Sequence, residues 1–206
     1  MSAVDVSPTS VAAGTCSVRR AAAADRPALE RMLARCTGQT RYRRFHGPVT
    51  AFPERYLTEA LSGSPLHFAL VACLDEDAER GGTVVEGTVV DGTVVDGTVV
   101  DGTVVDGTVV DGTVVDGTVV ALASCRAVDE GVAELGILVE DDWQRRGVGG
   151  DLLGEIVAYA ARTGLRALQA QVLAKQPWIV GLLRRHGTCR VAGAGPALHV
   201  TLTLPR

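Results

Sequence analysis

Seven consecutive residues, Gln144-Arg145-Arg146-Gly147-Val148-Gly149-Gly150, bring two guanidinium groups and three glycines to the start of an apolar helical pattern. In that pattern Val148, Leu152, Leu153, Ile156 and Val157 fall on one face, and Gly164 closes it. A helix that begins there leaves its first backbone N–H groups unpaired and aims the positive end of its dipole at one point. Glycines let an anion approach the backbone, and the arginines add charge-assisted hydrogen bonds, so the segment reads as a diphosphate site. Two common nucleotide loops are excluded by the residues present. A P-loop needs Gly-Lys-Ser/Thr, which the chain lacks. A dinucleotide fingerprint needs a third glycine where Leu152 stands and an acidic residue on the next strand, where the chain offers Arg166 and Gln169.

A strand must deliver the chain to this loop, and GVAELGILVE has the composition for it. The period of two puts Glu134 on one face with Gly136 and Leu138, away from Leu135, Ile137 and Val139. Further upstream, residues 16–21 read as a short strand, and Asp25-Arg26-Pro27 opens a helix carrying Leu29, Met32 and Leu33. The run TGQTRYRRFHGPV reads as a polar link to a second helix, which starts near Pro53 and ends at Gly63. LHFALVACL is a buried strand, VVALASCRAV is its hairpin partner, and a turn at Asp129-Glu130-Gly131 leads to the strand already described. After the loop and its helix come a strand in RALQAQVLA, a helix over residues 177–186 and an alternating strand in ALHVTLTLP. The order β-α-α-β-β-β-α-β-α-β predicts an α+β domain with a mixed central sheet flanked by helices.

Between the hairpin strands lies a low-complexity segment. Gly-Thr-Val-Val recurs eight times over residues 82–120, separated by Glu86 and then by six aspartates. Setting aside seven five-residue units leaves about 170 residues, the size of one domain, and shifts the net charge from −4 to slightly positive. The expected organisation is a disordered start over residues 1–15 and one domain over residues 16–206, interrupted by the repeat. A meander of Thr-Val-Val strands joined by Asp-Gly turns is disfavoured because three-residue strands are short. A pair of long strands is disfavoured because an odd period alternates the valines between faces. The expectation is a mobile loop produced by tandem duplication. Overall, 20 basic against 24 acidic residues give no footprint for nucleic acid, and no run approaches the roughly 20 apolar residues of a membrane span. Five dispersed cysteines, without a C-x-x-C pair, read as reduced core thiols of a cytoplasmic protein and not as metal ligands.

The loop Gln144-Arg145-Arg146-Gly147-Val148-Gly149 resembles the acyl-CoA loop of the Gcn5-related N-acetyltransferases (GNAT), whose signature is Gln/Arg-x-x-Gly-x-Gly/Ala after the fourth strand. The resemblance extends to AELGILVEDDWQRRGVG, to the order of elements and to LLRRHG at the end of the last helix. It implies the GNAT fold, with the repeat inserted in the connection between the second and third strands. It also implies acetyl-CoA as cosubstrate, with residues 145–150 at the CoA diphosphate and the edge Ile137, Leu138, Val139 pairing with pantetheine beside a splay in the sheet. A backbone N–H near Leu138 or Val139 would then polarise the acetyl carbonyl. Gln176 stands where many members carry a cofactor-contacting asparagine, and Leu183 where many carry a tyrosine that protonates the departing thiolate. A glutamate at the place of Glu134 serves as base in lysine acetyltransferases. Such a base is needed because a free lysine amine, with a pKa near ~10.4, is protonated at pH 7. TRYRRFHGPV and Ala133-Glu134 are similar to catalytic domains of bacterial protein-lysine acetyltransferases, and homodimers are common in the family.

The expectation is therefore acetyl transfer to a primary amine, a protein lysine first and a small-molecule amine second. A regulatory module that binds acyl-CoA without turnover, and an interaction protein acting through the repeat, are the rival classes. Arg41, Arg43 and Arg44 around Tyr42 are read as a loop lining the acceptor cleft. Glu140, Asp141 and Asp142 are read as loop solvation or turn formers, and Trp143 and Trp178 as packing residues.

Overall fold

The computed structural model describes residues 9–10, 16–74, 99–100, 103–104, 109–110, 113–114 and 118–204. Seven strands build its main sheet: β1 (Cys16–Arg20), β2 (His67–Leu74), β3 (Val119–Asp129), β4 (Val132–Val139), β5 (Ala167–Leu173), β6 (Thr188–Ala192) and β7 (Ala197–Thr203). Their order is β1-β2-β3-β4-β5-β7-β6, with the two-residue strand Thr9–Ser10 paired outside β1. Neighbours run antiparallel except β4 and β5, which are parallel. Helices α1 (Arg26–Arg35), α2 (Gly38–Phe45) and α3 (Glu54–Leu61) cover one face, while α4 (Val148–Arg162) and α5 (Pro177–Leu183) cover the other. This is the mixed, helix-flanked sheet expected from the order of elements.

Both faces of the central strands are buried, which is why β2 reads as a continuous apolar run. Phe68, Leu70 and Ala72 join Leu152, Leu153 and Ile156 of α4 in one core. Ala69, Val71 and Cys73 join Leu29, Met32 and Leu33 of α1 and Leu57 of α3 in the other. In β4 the division follows the expected period of two: Leu135, Ile137 and Val139 pack on the α4 side, and Leu138 on the α1 side. Four of the five cysteines are buried, and Cys36, Cys73, Cys125 and Cys189 are free thiols. Burial pushes the Cys36 thiol up to about 11 and the Cys125 thiol up to about 12.

The repeat lies between β2 and β3, which are antiparallel neighbours, so it occupies the expected hairpin connection. Its last copy is structural, because Val119 and Val120 open β3 and are fully buried. Earlier copies depart from the expectation of an unpaired loop. Val99–Val100 pairs with Thr103–Val104, and Val109–Val110 with Thr113–Val114, as two separate two-stranded sheets. Each pair flanks an Asp-Gly step. The other residues of the repeat and of the expected disordered start lie outside the described residues.

Three local expectations are corrected. The polar link contains α2, whose N-cap Thr37 accepts a hydrogen bond from the Thr40 N–H (3.2 Å) and whose C-cap His46 is left-handed, its N–H bonded to the Tyr42 carbonyl (2.8 Å). A seventh strand, β6, pairs with β7 but is mostly exposed, so it carries no burial alternation that the sequence could display. Trp178 is 63% exposed and is no packing residue.

Candidate active site

The parallel pairing of β4 and β5 covers only three residue pairs and ends at Glu134 and Gln169. Beyond them β5 continues against β7 alone, so the sheet opens along the C-terminal half of β4. The ladders on either side of β3 fix which backbone groups face the opening. Glu140 donates its N–H to the Val120 carbonyl (2.9 Å), and Ala127 donates to Leu66 (2.7 Å). In this alternation Glu134, Gly136 and Leu138 turn their backbone groups to β3, while Ile137 and Val139 turn theirs to the gap. The N–H aimed at the gap thus belongs to Ile137 or Val139, and the expected alternative at Leu138 is corrected: that N–H lies in the β3 ladder.

At the end of β4, a 3-10 turn over Asp141–Trp143 leads into the glycine-rich loop. Arg145 and Gly147 both adopt left-handed conformations, with φ of 63° and 96°, and bend the chain into α4. Among the described residues, the backbone N–H groups of Arg145, Arg146, Gly147, Val148 and Gly149 find no acceptor. Those of Gly150 and Asp151 are occupied by the Gly147 carbonyl (2.7 and 3.1 Å), so Gly150 adds shape and no free donor. The Arg146 guanidinium lies over the Trp143 ring, 4.8 Å from its centroid, close to this row of donors. Five free N–H groups, a fifteen-residue helix behind them and two guanidinium groups fit a diphosphate.

The supporting residues were underestimated in the sequence. Glu140 is buried and paired bidentately with Arg35 (2.8 Å at both oxygens), which also donates to the Val119 carbonyl (2.8 Å). Asp141 accepts from the N–H of Thr37 (2.8 Å) and from the hydroxyls of Thr37 and Thr40 (2.9 and 2.7 Å), so it caps α2. Burial works against the Asp141 carboxylate, but these hydrogen bonds outweigh it and hold the group below the usual range. The side chain of Gln144 donates to Thr40 Oγ1 (3.1 Å) and to the Val139 carbonyl (3.0 Å); it braces the loop against α2 and β4. Gln176 is buried at the end of β5 as the N-cap of α5, with its N–H on the Leu173 carbonyl (2.8 Å). Leu183 is buried in the α4-side core, so no hydroxyl stands at its position.

On the other face, the strand registers align His67, Arg126, Glu134 and Gln169 in one cross-strand row and Ser124 beside Gly136 in the next. Above these rows α2 and α3 enclose a cleft of about 300 Å³, lined by Arg44, Tyr56, His67, Ser124, Arg126 and Glu134 among others. Glu134 is half-exposed and accepts from Arg126 Nη2 (2.6 Å). The Arg44 guanidinium covers Gly136 so closely that a Cβ there would displace it. Tyr56 and Ser124 share a hydrogen bond (3.0 Å). His67 is 3% exposed, and neither ring nitrogen has a hydrogen-bond partner among the described residues. Burial, then the neighbouring Arg126, pushes its pKa below the ordinary histidine value, so the imidazole is neutral at pH 7. The sequence placed Glu134 and the arginine run near an acceptor cleft. It missed His67, Tyr56, Ser124 and Arg126, which meet only through strand register.

Residues 102–188, which span the loop, α4, β5 and α5, match the model of the acetyltransferase (GNAT) family. That part of the chain is similar to the family. Solved GNAT structures share its fold. The GNAT domain of S. lividans PAT superposes with a TM-score of 0.66 at 17% identity, over 96% of both chains. A GCN5-related N-acetyltransferase from Kribbella flavida gives 0.58 at 19%, over 93% of this chain and 98% of that one. YncA of Salmonella typhimurium, solved with its cofactor acetyl-CoA, gives 0.58 at 16%, over 93% and 95%. No curated protein matches by sequence. GNAT enzymes are acetyl-CoA-dependent N-acetyltransferases acting on amine acceptors. No helix among the described residues is long and apolar enough to cross a membrane.

Proposed function

We propose that this acetyltransferase acetylates a primary amine, in the first instance a protein lysine, by direct attack within a ternary complex, with Glu134 as general base. The observation that carries the reading is the position of Glu134 in the last paired row before β4 and β5 separate, with its side chain on the cleft face and the opening one step further along the strand. Residues 145–149 would hold the diphosphate through backbone N–H groups, and the edge at Ile137 and Val139 would pair with the pantetheine amides. When bound, acetyl-CoA supplies the activated acetyl group and a thiol leaving group. Glu134 receives the proton of the attacking ammonium, directly or through one water, so that the neutral nitrogen forms the new C–N bond. Its partner Arg126 is no obstacle: a pair 45% and 49% exposed is held weakly and can exchange with a substrate ammonium. The free thiols of Cys36, Cys73, Cys125 and Cys189 support a cytoplasmic setting.

The lysine reading is supported by TRYRRFHGPV and Ala133-Glu134, since the segments similar to protein-lysine acetyltransferases are those that carry Arg44 and Glu134 into the cleft. The modest volume of the cleft favours a second reading, a small-molecule amine.

The test pairs two variants. Glu134→Gln is expected to lower kcat by about 100-fold or more while keeping the thermal stabilisation by acetyl-CoA. The double variant Arg146→Glu with Gly149→Asp should lose that stabilisation. Acceptor-dependent thiol release that survives Glu134→Gln unchanged would remove the base assignment, and a wild type that acetyl-CoA does not stabilise would remove the donor site.

A further inference from the structure

The cleft contains one cation without an anion. Arg55 is paired with Glu59 (2.7 Å) and Arg126 with Glu134 (2.6 Å). Arg44 has no hydrogen bond or ion pair among the described residues; its guanidinium is held by the rings of Phe45 (4.9 Å) and Tyr56 (5.0 Å) and lies over Gly136. Ring contacts fix the plane of a guanidinium and leave its in-plane N–H fork available, the geometry that reads a carboxylate bidentately. Close by is His67, whose ring packs against Tyr56 at 5.5 Å, whose Nδ1 lies 3.9 Å from Glu59, and whose two buried nitrogens have no hydrogen-bond partner among the described residues, so that the neutral ring offers one further donor.

An amine acceptor arrives as a cation, and an unpaired guanidinium beside the general base would repel it. The cleft's own carboxylates, Glu59 and Glu134, are already matched by Arg55 and Arg126, so an acceptor that brings its own anion relieves the repulsion. We propose that Arg44 is a specificity-determining residue that docks a carboxylate carried by the acceptor, so that the substrate is an amino-carboxylate group rather than a simple amine. This rests on the acetyltransferase reading above and names its substrate class. Glu134 and Gly136 are two residues apart on one strand, about 7 Å, which sets the scale of the separation between amine and carboxylate. Such a pair occurs in a free amino acid whose amine ends a long aliphatic chain and in a lysine flanked by an acidic residue.

Binding and turnover are measured separately, with matched probes: 6-aminohexanoate against 6-aminohexanamide, and acetyl-Glu-Lys-amide against acetyl-Gln-Lys-amide. Each is titrated calorimetrically into the full-length protein saturated with CoA, which cannot transfer. The expected result is at least tenfold tighter binding of the carboxylate member of one pair, and the pair showing it identifies the source. In Arg44→Ala the ratio should fall to about one, and in Arg44→Lys it should be intermediate; acetyl-CoA stabilisation of both variants verifies that they fold. Equal binding of acid and amide by the wild type, no binding of any probe, or a preference that persists in Arg44→Ala overturns the proposal. Turnover with acetyl-CoA tests the acetyltransferase reading: transfer without preference removes Arg44 alone, while a carboxylate preference in binding without transfer keeps the site and removes the reaction.

Discussion

Glu134 and His67 share one cross-strand row yet differ in their contact with water, and that difference sets what each can do. Glu134 is 49% exposed at its side chain and is open to solvent. His67 is sealed from water, and burial followed by Arg126 and Arg44 lowers its pKa against the weaker opposing effect of Glu59 and Glu134. The native protein therefore binds this proton less readily than the unfolded chain, in which histidine titrates near ~6.5. Stability is present above that value and falls as pH drops through it, until the lowered native value is reached. Denaturant midpoints between pH 5 and 8 should decline more steeply on the acid side for wild type than for His67→Gln. Parallel curves would show that His67 does not carry the dependence.

At the scale of elements, α2 is the piece whose placement matters most, because Arg44 rides in its last turn. It is eight residues long, too short to persist on its own, and is tied down by a residue from the far end of β4. Asp141→Ala removes the acceptor of three hydrogen bonds at the start of the helix and should cost about 1–2 kcal/mol by chemical denaturation. It should also raise the KM for the acceptor, since the arginine would lose its fixed position. The same residue joins the two halves of the site, for Asp141 begins the turn into the diphosphate loop. A variant with unchanged stability and KM would mean that α2 is held by its packing alone.

For the whole molecule, the repeat is a long excursion between two strands that are already paired at their bases by Leu74 and Thr118, with a bond of 3.0 Å. Deleting residues 82–116 shortens the connection and removes none of the core residues among those described. Loop-closure entropy then predicts a stability gain of about 1 kcal/mol and unchanged acetyl-CoA stabilisation. A deletion that unfolds the domain, or abolishes cosubstrate binding, would show that the repeat is part of the structure. Much of this molecule was legible along the chain because its signals are local. The apolar run of β2, the Pro27 and Pro53 helix starts, the face carried by Glu134 and the glycines of the loop depend on residues within a few positions of one another. What remained hidden depended on partners far away. α2 is capped by Asp141, β6 is an exposed edge without alternation, and Glu140 is matched by Arg35. The row His67, Arg126, Glu134 exists only because the register of three strands is set by burying Leu70, Ala123 and Leu135 together. The sequence by itself determined the glycine-rich turn into α4, because the residues that shape it are consecutive. The tertiary structure decided the acceptor side, because side chains brought together across a sheet carry no common signature until the strands have paired.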